Sequence, residues 1–185
     1  MDDVSVITLS CETDCAEYAA RYVDIAKFNA CCAECRGYGK AWACPPYDFA
    51  PIEIWRGYNR LLLYGKKVVL PEALCREEHE RGELARLYNS MLAPIKTALL
   101  DELFAMERET PGSMALSAGG CDICESCTRP EGKPCRFPEK KRFSVESIGG
   151  DVIRSIEDFF GEKVLWADGG HLPQHFILLG GLLKK

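Results

Sequence analysis

Four cysteines in the second half of the chain have the spacing of metal ligands: Cys121-x2-Cys124-x2-Cys127-x7-Cys135, followed by Arg136-Phe137-Pro138. Thiols this closely spaced can wrap a compact body whose metals lie near one another. Bacterial ferredoxins use such a Cys-x2-Cys-x2-Cys run, with a further cysteine and a nearby proline, to hold [4Fe–4S] clusters. Here the last gap is seven residues rather than three, which leaves Cys135 free to reach back to the same cluster. Gly119, Gly120 and Gly132, with Pro130, Pro134 and Pro138, let the backbone turn N–H groups toward the sulfurs. The spacing predicts one [4Fe–4S] cluster on Cys121, Cys124, Cys127 and Cys135. Zinc is the alternative, although four-thiolate zinc sites usually come as two Cys-x2-Cys knuckles separated by a longer span.

A second dense group lies earlier: Cys31-Cys32-x2-Cys35-x8-Cys44, then Pro45-Pro46. Its spacing matches no common ligand pattern and differs from the Cys-x3-Cys-x2-Cys of radical enzymes. Cys31, Cys35 and Cys44 are the metal-ligand candidates, with Cys32, Cys11 or Cys15 as a fourth; Cys75 reads as core. Tyr38, Trp42 and Tyr47 could form a dry shell around a centre. The bland reading is a helix end and turn carrying buried thiols. Metal binding is preferred because thiols this concentrated are otherwise open to oxidation. Whether this loop holds a second cluster, zinc or nothing is left open by spacing alone. If three thiolates hold a cluster, one iron stays open to substrate.

Cys35-Arg36-Gly37-Tyr38-Gly39-Lys40 with Cys44-Pro45-Pro46, together with the Cys121–Lys140 stretch, resembles the predicted metal-binding proteins catalogued as domain of unknown function 2284. The resemblance spans roughly residues 30 to 161. It implies metal binding of an iron–sulfur kind, in bacteria and archaea rich in anaerobic metabolism, and it implies no established reaction. The chain departs from the pattern in its doubled Cys31-Cys32. It also carries Phe143 where the family has a Pro-Ser-x-Glu-Ala-x-Gly-like stretch. Cys11 and Cys15 fall outside the matched stretch.

Composition sets the surroundings of these loops. Eleven cysteines in 185 residues, an odd number, cannot all pair as disulfides. The acidic start Met1-Asp2-Asp3-Val4 lacks the profile of a secretory signal. A cytoplasmic, thiol-reducing setting is therefore expected. No apolar run is long enough for a membrane span. A net charge of −5 argues against nucleic acid as the main ligand. The length fits a single domain over residues 1–185, with an N-terminal cysteine loop at 31–51 and a ferredoxin-like cluster loop at 119–138.

Hydrophobic patterning supplies the elements that must position the loops. It predicts strands over Val4–Leu9, Arg60–Leu70, Ser113–Ser117, Lys163–Ala167 and Phe176–Leu183. It predicts helices over Asp14–Ala30, near Ile52–Asn59, over Pro71–Glu109 with a kink or split at Pro94, and over Asp151–Phe160. The fold class is α/β or α+β, a compact mixed sheet flanked by helices. His79 reads as solvated among glutamates. His171 and His175 read as turn residues, Asp168-Gly169-Gly170 as a turn, and Gly180-Gly181 as a bulge or close approach. No phosphate loop, nucleotide fingerprint or nucleophile elbow is present. Three function classes follow: an iron–sulfur protein passing electrons to a partner protein, a redox enzyme with a substrate-binding metal centre at the N-terminal loop, and a zinc-stabilised interaction module.

Overall fold

A computed structural model describes residues 4–185; the acidic start, Met1–Asp3, lies outside the described residues. Strand β1 (Ser5–Asp14) leads into α1 (Cys15–Tyr22), α2 (Ile25–Ala33) and α3 (Ile52–Arg56). Then come β2 (Arg60–Val69), α4 (Glu72–Arg76), α5 (Arg81–Glu109), β3 (Met114–Leu116), α6 (Val152–Phe160) and β4 (His175–Lys184). The four strands form one sheet in the order β1-β2-β4-β3, antiparallel at every pairing. The architecture is thus a mixed α/β one: an antiparallel sheet flanked by helices. Among the described residues no helix is long and apolar enough to cross a membrane.

β2 is the central strand, and its alternation sorts side chains to two faces. Leu61 and Leu63 point into a core with Tyr18, Trp55, Ile148, Ile156, Leu179 and Leu183. On the other face α5 lays Leu99 and Leu103 against Ala115 and Leu182. Lys66 is buried on this side; its ammonium donates to Glu102 at 2.7 Å and to Thr8 at 2.9 Å. Such a buried cation is tolerated because it is paired and hydrogen-bonded.

Gly180 and Gly181 on β4 keep an uninterrupted register with Tyr64 and Leu63, so the pair marks close approach rather than a bulge. A Cβ at Gly180 would stand 2.6 Å from the Leu116 carbonyl, and one at Gly181 2.9 Å from the Leu62 carbonyl.

Several expectations change. β1 runs five residues beyond Leu9, because it pairs with β2 along its whole length. The helix expected over Asp14–Ala30 is two helices. Asp14 caps the first, accepting from the N–H groups of Ala16 and Glu17 at 2.9 Å; Asp24 caps the second, accepting from Lys27 N–H at 2.9 Å. Between them Val23 bridges to Gly150, and Asp24 N–H donates to the Gly149 carbonyl at 2.8 Å, so a tertiary contact replaces a helical turn. Helix α5 runs unbroken through Pro94, while Glu72–Arg76, ahead of it, forms the separate α4. Lys163–Ala167 forms no strand: it joins neither edge of the sheet, β1 or β3, and leads instead into the turn closed by the Asp168–His171 bridge. His79 is not solvated; its side chain is 8% exposed, and among the described residues its Nε2 has no hydrogen-bond partner. Cys75 does pack against the core cluster around Val68 and Leu92.

Replacing Gly180 by Ala forces a Cβ into backbone and should lower unfolding free energy by about 1–3 kcal/mol. Gly82→Ala, in open space on α5, should be neutral or raise it by up to about 1 kcal/mol. Chemical denaturation of the two variants checks the contrast.

Candidate metal centre

The cluster loop is closed at its neck. Ser117 N–H donates to the Phe143 carbonyl at 2.8 Å, and Ser117 bridges to Ser144, so the chain leaves β3 and returns to the same place. Arg142 locks the return, with its guanidinium on the Glu107 carboxylate of α5. Inside the loop, Thr128 Oγ1 donates to the Pro134 carbonyl at 2.8 Å, and Arg136 to the Ser126 carbonyl at 2.6 Å. A short 3-10 turn over Arg129–Glu131 ends at Gly132, whose φ of 67° lies in the left-handed region.

This scaffold sets Cys121, Cys124, Cys127 and Cys135 around one cavity of about 150 Å3, each of them partly buried. Burial pushes the Cys121 thiol up, the nearby Cys124 and Cys135 add to it, and the Ile123 N–H turned toward its sulfur pulls it down. That N–H is the kind of donor that stabilises a bound thiolate. Lys96 of α5 donates to the Gly120 carbonyl at 2.5 Å and pairs with Asp122, holding the approach to Cys121.

Ala41, Trp42 and Ala43 of the N-terminal loop form a wall of the same cavity. Arg129 holds that wall in place. Its guanidinium donates to the carbonyls of Ala41 at 2.8 Å, Cys44 at 2.5 Å and Pro46, and stacks over Trp42 with 5.4 Å to the ring centre. The Trp42 indole N–H donates to the Lys133 carbonyl at 3.0 Å. The two cysteine loops are therefore one assembly.

Within the N-terminal loop the candidates separate. Cys32 lies within reach of the charge of Cys31 and Cys35, and Cys44 within reach of that of Cys32, Cys35 and Cys121. Burial first, then these neighbours, pushes the Cys44 thiol up to about 11. Cys31 and Cys35 are exposed. Cys15 stands apart: it is fully buried, its thiol donates to the Trp55 carbonyl at 3.3 Å, and burial raises it to about 11. Cys11 lies on β1 opposite Leu63. Tyr47 donates to the Ala43 carbonyl at 2.8 Å and stacks on Phe49, so its ring faces apolar neighbours beside Cys44.

Glu146, Lys96 and Arg129 escaped the motif reading. Glu146 is half-buried within charge reach of Cys32 and Cys44, and desolvation pushes its carboxyl above the usual range. Its place in the Ser144-Val145-Glu146 stretch was the one local signal. Among the described residues no group of three or more His, Cys, Asp and Glu side chains stands at the spacing that holds a single metal ion. The thiols border a space instead of converging on a point.

The model of the family described as "Predicted metal-binding protein (DUF2284)" matches residues 21–183. No curated protein and no solved structure matches the chain.

Arg129→Ala removes three carbonyl contacts and should speed amide exchange over residues 41–46 while lowering stability by about 1–3 kcal/mol. Arg129→Lys, which lacks the planar fork, should restore little of either. Hydrogen exchange with mass spectrometry reads both.

Proposed function

Because the chain belongs to this family of predicted metal-binding proteins, we propose that its metal is iron, held as a [4Fe–4S] cluster by Cys121, Cys124, Cys127 and Cys135, and that it passes single electrons to a partner protein. The observation that carries this reading is the cavity of about 150 Å3 bordered by all four thiols. A lone zinc ion draws its thiolates to about 2.3 Å, whereas a polynuclear cluster takes up more room, and a cavity of this size supplies it. When bound, the cluster supplies a one-electron couple. Around it, the Ile123 N–H is aimed at a ligand sulfur, which favours the more negative, reduced state. Trp42 and its neighbours exclude water from one side.

The setting that suits these thiols is the reducing cytoplasm, and an acidic chain of this charge suits a protein partner better than nucleic acid. A second reading, a redox enzyme, draws on Cys44 lying within charge reach of Cys121. A small substrate bound at the N-terminal loop would then stand beside the electron source.

The test is purification without oxygen, followed by iron, acid-labile sulfide and zinc per chain and a visible spectrum. About four irons and four sulfides on Cys121–Cys135, lost in Cys127→Ser, are expected. A colourless protein holding zinc without labile sulfide would refute the redox reading.

A further inference from the structure

Strand β1 is an outer strand of the sheet, and among the described residues β2 alone pairs with it. The Cys15 N–H donates to the Asn59 carbonyl and the Leu70 N–H to the Gln174 carbonyl, each at 2.9 Å. With the registers of β1 and β4 on β2, these two bonds fix the alternation along β1. Its odd-numbered residues turn their N–H and C=O groups to β2, whereas Val6, Thr8, Ser10 and Glu12 turn theirs outward.

An open edge invites another strand, and folds blunt it with lysine, proline, a bulge or shortness. The opposite edge follows that rule: β3 has three residues, and the next, Ser117, is bridged to Ser144. β1 does not. It runs ten residues without lysine, arginine, proline or glycine, in unbroken register with β2, and Val6 and Ile7 are each 46% exposed. Its two carboxylates are occupied: Glu12 pairs with Arg60 and Lys184, and Asp14 caps α1.

We propose that β1 pairs with β1 of a second copy of this chain, antiparallel about a two-fold axis at Leu9, to make one eight-stranded sheet. A symmetric pair must set outward groups against outward groups, so the axis passes through a residue and not between two. Centred on Leu9, Val6 faces Glu12 and Thr8 faces Ser10 of the second copy, giving about eight hydrogen bonds that use every outward group of these residues. Centring on Thr8 sets Glu12 beyond the start of the second strand, and centring on Ser10 sets Val6 against Asp14, the cap of α1. The Leu9 register also matches charge and polarity. Each neutralised Glu12 stands opposite an apolar Val6, Leu9 meets Leu9, and the exposed Ile7 meets Cys11. The strand is its own complement, which makes a second copy the occupant. The cluster loop leaves the sheet from β3, at the far edge, so it stays free in the dimer.

Sedimentation of the full chain, reduced and free of oxygen, should give twice the chain mass in the micromolar range. Ser10→Pro removes an outward N–H and no bond to β2, and should give the single-chain mass with an unchanged far-ultraviolet spectrum. Ile7→Cys places a thiol at a non-hydrogen-bonded position opposite Cys11 of the second copy, and mild oxidation should link the two in a peptide map. Hydrogen exchange on the wild type needs no variant to fold: the amides of Val6, Thr8, Ser10 and Glu12 should exchange at least about tenfold slower in concentrated protein than after dilution. A chain that stays monomeric throughout the micromolar range overturns the proposal. So does a dimer that Ser10→Pro leaves intact, an introduced thiol that links only to cysteines outside β1, or β1 amides whose exchange ignores concentration. None of these readouts depends on iron, so the outcome is separate from that of the cluster reading.

Discussion

The guanidinium of Arg129 donates to three carbonyls of a loop more than eighty residues away in sequence, at Ala41, Cys44 and Pro46. Beyond the end of α2 and the short 3-10 turn over Arg129–Glu131, neither cysteine loop has regular structure of its own to hold it there. Backbone carbonyls withdrawn from water need partners, and a planar cation with five N–H groups can serve several at once. The clamp sets Trp42 over the cluster loop and carries Cys44 toward Cys121. The cavity wall, the shielding of the thiols and the nearness of the two cysteine groups all follow from it.

The sheet contributes a rigid base. β3 ends where the cluster loop begins, and the Ser117–Ser144 bridge returns the chain to that same edge. From there the chain runs directly into Glu146 and α6, while α5 reaches across with Lys96 and Glu107 to pin the loop's start and its return. The cysteine-rich segment is thereby mounted on two fixed points. Ligands held this way need little reorganisation to bind, which is what fast one-electron chemistry requires.

Local signals were legible in the sequence and long-range ones were not. The Cys121–Cys135 spacing is a property of fifteen consecutive residues, and the Asp14 cap stands immediately ahead of its helix. β2 was legible because a buried central strand needs a dense apolar run. The break at Val23–Asp24 was hidden because it depends on Gly149 and Gly150, over a hundred residues away. Lys163–Ala167 looked like a strand, since its composition says nothing about whether the chain carries it to a sheet edge. His79 reads as solvated among glutamates, yet Gly170 covers it: its N–H donates to the Gly170 carbonyl at 2.9 Å. Glu146, Lys96 and Arg129 carry ordinary surface residue types, and only the fold brings them to the thiols.

The central claim is that the thiols of the cluster loop surround a polynuclear iron centre. X-ray absorption at the iron and zinc edges of the oxygen-free protein tests it most directly. The account predicts iron with a sulfur shell and, beyond it, a short iron–iron shell that disappears in Cys127→Ser. Zinc with a single sulfur shell at about 2.3 Å, and no metal–metal shell, would contradict it.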